Sequence, residues 1–286
     1  MELGWILASC VLLSFYDLCK KASVRDNAVF PTLLGSTLSG WLAVTAYLVF
    51  RGGFAAVVAV GPATGGLLLL KSCLVGASWT ATYMALRTLP ITSAAPIRAT
   101  GPLWTLCGAI VVFGELPTAA QAVGMALALV GCWVFSLSTR REGVDFWRNR
   151  AIAFAFLGTV LGSCSALYDK TLLQHRGIPT ATVLWWFLGG MCVIYALATA
   201  FERRRFTWRM TIPCVGVLLA LSDACYFNAI AVPDAKISVL SLIRRSSVVL
   251  TFFLGGAVFR ETNLLRKALA LAAILAGVIV LCLAGN

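Results

Sequence analysis

The chain has 286 residues, of which 60% are hydrophobic and only 12% charged, and its mean hydropathy is +0.91. A soluble protein carries roughly 25% charged residues, so this composition excludes a water-soluble enzyme or binding domain and points to a membrane chain. The net charge of +12 comes from 23 basic and 11 acidic residues. Its runs lie beside apolar segments, as in Phe201-Glu202-Arg203-Arg204-Arg205, which reads as a membrane anchor and not as a nucleic-acid surface.

In chain order the apolar stretches are 3–22, 31–50, 65–86, 91–113, 118–138, 151–173, 180–200, 211–231, 237–258 and 264–284. Each approaches the roughly 20 residues that an α-helix needs to cross the hydrocarbon core. They are continuously apolar instead of alternating, which argues against a β-barrel. The expected fold is therefore an all-α polytopic membrane protein with ten transmembrane helices. The first segment has no basic stretch before it and is expected to stay in the mature chain.

The second half repeats the first. Tyr16-Asp17 recurs as Tyr168-Asp169, 152 residues on, whereas Ile97-Arg98 recurs as Ile243-Arg244 and Phe113-Gly114-Glu115 as Phe259-Arg260-Glu261, both 146 residues on. The expected organisation is a first five-helix repeat over 1–138, a basic connecting loop over 139–150 and a second five-helix repeat over 151–286. An odd number of helices per repeat makes the second copy enter the membrane from the opposite face. The copies are then inverted, a plan that suits alternating access to a central site.

Loop charge sets the expected orientation. Fifteen basic residues, including Lys20, Lys21, Arg25, Arg140, Arg141 and Arg203, belong to one side, and three, Arg51, Arg176 and Lys236, to the other. The positive-inside bias places the basic side in the cytoplasm and both termini outside.

Ionisable residues inside membrane helices are costly and normally face a cavity or a partner. The candidates for substrate binding or coupling are Tyr16, Asp17, Lys71, Arg98, Tyr168, Asp169, Asp223, Asn228 and Arg244. For Asp17 the structural alternative is an ion pair with Lys20 or Lys21 at helical spacing, and for Asp169 a pair with Lys170 or an arginine of another helix. The functional alternative is substrate contact or uptake of a proton during the cycle. The tyrosines supply a ring and a hydroxyl donor suited to a cavity wall.

Arg98 and Arg244 stay charged when buried, and their planar forks fit a carboxylate or phosphate. Structural pairing with Asp17, Asp169 or Asp223 is the competing role. Arg245 points roughly 100° away from Arg244 around the helix, so at most one of the two faces a cavity squarely. Lys71 is expected to lie shallow enough to snorkel. Three deep aspartates, Asp17, Asp169 and Asp223, stand against five bases, Lys71, Arg98, Lys170, Arg244 and Arg245. That surplus points to an anionic or zwitterionic cargo.

Glu115 and Glu261 follow helices four and nine and are expected to cap the helix that comes next. Pro90 and Pro96 straddle the start of helix four and predict irregular backbone beside Arg98. Gly124, Gly131 and Gly277 mark helices five and ten as close-packed buttresses or a dimer contact, and Gly158-xxx-Gly162 in helix six is a weaker packing signal. The ten cysteines form no CxxC pair and read as small packed hydrophobes. His175 is the only histidine, so no metal centre is expected.

The ten helices in two fives, Lys20 or Lys21 closing helix one, Tyr83-Met84-Ala85-Leu86 ending helix three and the Phe113-Gly114-Glu115 turn together resemble the EamA-like branch of the drug/metabolite transporter superfamily, over residues 3–284. The usual Trp-Gly pair of helix one is replaced by Leu12-Leu13 or Leu13-Ser14. The resemblance implies a secondary transporter of small polar metabolites in a bacterial inner membrane. Helices one to four and six to nine would surround the cavity, with helices five and ten outside it. It also implies cytoplasmic termini, opposite to the charge count. The substrate expected is amino-acid-like or phosphate- or phosphonate-bearing, and the partners are that solute and membrane lipids, with no nucleic acid. No cofactor is expected beyond coupling to a proton or solute gradient, and the chain would act as a monomer or homodimer. A lipid-linked flippase and a membrane-embedded enzyme are the alternatives; the chain lacks a GxxxxGK[ST] nucleotide motif and is not expected to be an enzyme.

Overall fold

A computed structural model describes residues 2–113, 118–140, 148–230, 244, 246–261 and 263–283, and every regular element among them is helical. The N-terminal half contributes α1 (Glu2–Val24), α2 (Val29–Phe50), the short α3 (Phe54–Val58), α4 (Pro62–Thr88), α5 (Ile91–Ala99), α6 (Gly101–Phe113) and α7 (Ala119–Arg140). The C-terminal half contributes α8 (Arg150–Lys170), α9 (Thr180–Phe201), α10 (Thr211–Ile230), α11 (Ser247–Val258) and α12 (Leu264–Leu283). Past Lys170 the α8 backbone widens into a π-turn, Thr171–His175, where Arg176 N–H donates to the Thr171 carbonyl at 3.1 Å.

Among the described residues four stretches, Val29–Phe50, Pro62–Thr88, Arg150–Leu173 and Thr180–Phe201, are long and apolar enough to cross a membrane. At 22 residues α2 is about 33 Å long, close to the hydrocarbon thickness. The outer surface matches: Phe50 is 90% exposed, and Val111, Phe201, Leu197 and Trp133 also face outward. Apolar patches of that size are unfavourable against water. The chain is thus an all-α, multi-pass type of helical protein.

Helix four of the sequence reading is two helices. The break falls at Thr100 and not at Pro96, which α5 carries in its interior. Its cause is Pro102, which lacks an N–H and whose ring crowds the carbonyl four residues back, that of Arg98. Thr100 fills the gap locally, donating its hydroxyl to the Ile97 carbonyl at 2.6 Å and accepting the Trp104 indole N–H at 3.1 Å.

The helix starts are capped in two ways, locally and from the other half of the chain. α7 is capped by its own Thr118 and Gln121, which exchange backbone and side-chain bonds at 2.8 and 3.2 Å, a reciprocal capping box. Glu115 lies outside the described residues. Neither α2 nor α5 has a capping side chain of its own, and carboxylates from the other half fill both places. Glu202 accepts from Val29 N–H at 3.1 Å and Phe30 N–H at 3.0 Å. Glu261, expected to cap the following α12, instead accepts from Ile91 N–H at 2.7 Å, Thr92 N–H at 2.9 Å and the Thr92 hydroxyl.

Helices in lipid associate through close packing and interhelical hydrogen bonds, and both are visible. α7 and α12 pack along their length, with Gly131 against Ile274 and Gly277 against the backbone of Gly124 and Ala128. These glycines therefore serve a contact within the chain. Gly158 lets α8 approach Ser78 and Thr82 of α4, and Gly40 of α2 meets Gly216 of α10. Ser9 of α1 and Ser222 of α10 bond each other's carbonyls at 2.8 and 3.0 Å. The main helix contacts are α1 with α10, α4 with α8, α2 with α10, α2 with α9, α4 with α9, α6 with α8, α5 with α11, α1 with α11 and α5 with α12.

Candidate functional site

Among the described residues, three ion pairs join charges inside the helices. Arg98 of α5 donates to the Asp17 carboxylate of α1 at 2.5 Å, and Asp17 is 1% exposed. Thr251 of α11 donates its hydroxyl to the second Asp17 oxygen at 3.2 Å. Lys71 of α4 meets Asp169 of α8 at 2.6 Å and also donates to the Ser165 hydroxyl at 2.6 Å and carbonyl at 3.2 Å. Arg244 pairs with Asp223 of α10. Each is a charge-assisted bond between neighbouring helices, the type that offsets part of the cost of removing both ions from water.

Lys71 is accordingly a buried partner, 4% exposed, and not a snorkelling side chain. Asp17 binds Arg98 in preference to Lys20 or Lys21. Lys21 reaches across to α4 and donates to the carbonyls of Leu86 at 2.6 Å and Leu89 at 2.5 Å, satisfying the free C-terminal carbonyls of that helix.

Lys20, like Lys21, has no carboxylate partner among the described residues, and it is the one of the two that lines a cavity. It is buried, donates to the Tyr16 hydroxyl at 3.3 Å, and its ammonium lies 5.2 Å from the Tyr16 ring, 5.2 Å from Tyr83 and 5.8 Å from Trp79. The spacing explains the cage. Tyr16 and Lys20 are one turn apart on α1, Trp79 and Tyr83 one turn apart on α4, so each pair shares a helix face. Ring faces attract a cation but do not neutralise it.

Tyr16, Lys20, Trp79 and Arg98 line a cavity of about 280 Å³ between α1, α4, the α5–α6 break and α8. Its remaining polar lining is hydroxyl: Ser78, Thr82, Thr105, Thr159 and Ser163. The volume is near the lower end for small-molecule pockets. Trp79 also borders a narrow apolar cleft against α2, α9 and α10, where Asp223 lies.

No family model matches this chain, and no curated protein matches it. A solved structure described as "Crystal structure of protein" is similar at a TM-score of 0.67 and 16% identity, covering 99% of this chain and 98% of the other. At that identity the similarity concerns the fold, which extends over nearly the whole chain.

Of the residues singled out from sequence, Tyr16 and Arg98 line the larger cavity, with Asp17 directly behind Arg98. Asp169 and Lys71 form a separate pair to one side, with Tyr168 donating to the Leu67 carbonyl at 3.1 Å. Asp223 and Arg244 form the third pair. The Asn228 side chain and that of Lys170 lie outside the described residues, as does Arg245. Among the described side chains the three aspartates are matched by three bases, and a further cation at the cavity is Lys20, which the sequence placed as a loop charge, a candidate partner of Asp17 and a lysine closing helix one.

Proposed function

We propose that the chain is a secondary transporter that moves a small anionic or zwitterionic metabolite by alternating access. The observation that carries this reading is the polar cavity between helices of both halves, with the Lys20 ammonium and the Arg98 guanidinium on one wall. A buried cation without a carboxylate favours a ligand that brings one.

The proposal includes ten membrane helices in two inverted five-helix repeats, an EamA-like member of the drug/metabolite transporters and a place in a bacterial inner membrane. Exchanging the two halves supports the inverted plan. α1–α10 maps onto α8–α4, α2–α10 onto α9–α4 and α1–α11 onto α8–α6, while α2–α9 and α7–α12 map onto themselves. Such exchange relates an inward- to an outward-facing form in transporters built this way. Proton coupling is assigned to Asp17 or Asp169, the duplicated carboxylates.

Protein reconstituted in liposomes is expected to exchange labelled small anionic or zwitterionic solutes, and Arg98→Ala to abolish that exchange. Stabilisation and transport of hydrophobic cations alone would overturn the proposal. An Asp17→Asn protein with the pH profile and rate of the native chain would clear Asp17 of coupling.

A further inference from the structure

The cavity has two chemically distinct poles. At one, Lys20 carries three donors, of which one is spent on the Tyr16 hydroxyl, and Arg98 keeps donors beyond the N–H given to Asp17. With Asp17 offsetting Arg98, this pole retains one positive charge. At the other, every hydroxyl has already given its single proton to a backbone carbonyl. Ser78 donates to Gly158 at 2.7 Å, Thr82 to Ser78 at 2.9 Å and Thr159 to Ala155 at 2.8 Å. Thr105 donates to Gly101 at 3.2 Å, and Ser163 divides its proton between Gly101 at 2.9 Å and Thr159 at 3.0 Å. A hydroxyl whose proton is committed offers only lone pairs to whatever enters the cavity.

We infer that this cavity is a two-pole site for a small zwitterion, with a carboxylate bound by Lys20 and Arg98 and a protonated amine received by the hydroxyl oxygens of α4, α6 and α8. A dianion would press its second charge against a wall of acceptors. A simple cation would suit that wall but would meet Lys20. A zwitterion satisfies both poles at once, and in about 280 Å³ it must be small. The aromatic cage of Tyr16, Trp79 and Tyr83 fixes the ammonium of Lys20 in place, so the anionic pole is organised before the ligand arrives. The inference deepens the transporter reading and rests on it for physiological meaning, while ligand binding is measured without transport.

The full chain in lipid nanodiscs is heated with a panel of small α- and β-aminocarboxylates and with four matched controls: their N-acetyl derivatives, their carboxamides, the same acids without the amine, and glycerol phosphate. A ligand of the folded state raises the melting temperature by mass action. The expected result is stabilisation by at least one aminocarboxylate, with each matched control weaker by roughly tenfold or more. Lys20→Met is expected to lose the response and Lys20→Arg to retain it. Thr159→Val and Thr105→Val should weaken binding of the aminocarboxylate and leave that of the amine-free acid unchanged. The inference is overturned if no aminocarboxylate stabilises the protein, or if glycerol phosphate or the amine-free acid does so equally well. Liposome exchange separates it from the broader reading. Phosphate-ester exchange without aminocarboxylate binding sinks the zwitterion and leaves a transporter, whereas the expected binding without any exchange leaves the site and sinks the transporter.

Discussion

Arg98 and Arg244 follow isoleucines at matching places in the two halves, yet they have different company. Arg98 holds Asp17 of α1 and faces the larger cavity beside Lys20. Arg244 holds Asp223 of α10, and Asp169, the duplicate of Asp17, has turned to Lys71. The neighbour at the 152-residue offset from Lys20 is Leu172, fully buried against Leu68 and Val183. One place holds a caged cation beside a polar cavity, and the place at the matching offset holds a leucine packed among apolar side chains.

The sharpest way to break this comparison is to remove each duplicated carboxylate in turn. Asp17→Ala strands the Arg98 guanidinium and is expected to cost about 3–5 kcal/mol. Asp169→Ala should cost distinctly less, because Asp169 is 37% exposed and Lys71 keeps the Ser165 hydroxyl. Denaturation of both variants in the same micelles measures the difference, and equal losses would refute the asymmetry. Next in size, Leu172→Lys places in the second half the cation that the first half carries. Placed among the buried side chains of Leu68 and Val183, it should lower stability by about 3 kcal/mol. A thermal midpoint equal to that of the native chain would show instead that the second half accepts a cation as readily as the first.

A smaller effect, about 1 kcal/mol, is expected for Glu261→Gln, which weakens the charged cap on Ile91 and Thr92. Hydrogen exchange should report it first at those amides, whereas loss of protection at the start of α12 would restore the local cap read from sequence. The smallest change has the opposite sign. Arg260 has a left-handed backbone at φ +50°, with Glu261 N–H donating back to Gly256 at 3.0 Å, a helix ending that favours glycine. The first half has Gly114 at the corresponding place. Arg260→Gly is therefore expected to stabilise by about 1 kcal/mol, and a lower melting temperature would contradict the turn geometry.

Helix positions were legible in the sequence because apolar length alone marks them, and α2, α4, α8 and α9 end within a few residues of expectation. The break at Thr100 was legible too, had Pro102 been weighed against Pro96, since a proline disrupts the turn preceding it. Partners were much less so. Spacing along one helix suggests Asp17 with Lys20 or Lys21, but Arg98 and Lys71 reach carboxylates 81 and 98 residues away in sequence, through contacts that only helix packing sets. Lys20 carried a readable signal in the Tyr16/Lys20 and Trp79/Tyr83 spacings. What the sequence did not contain was that these two faces point at each other.

The carboxylates of Glu202 and Glu261 have a consequence for biosynthesis. They finish the N-termini of α2 and α5 from the other half of the chain. During translation the amides of Val29, Phe30, Ile91 and Thr92 are made long before their acceptors exist. The N-terminal half therefore waits, with two helix ends open to water or lipid headgroups, until residue 261 has left the ribosome. Expressed alone it should form its helices but leave those four amides fast to exchange, and a separately synthesised C-terminal half should quench them.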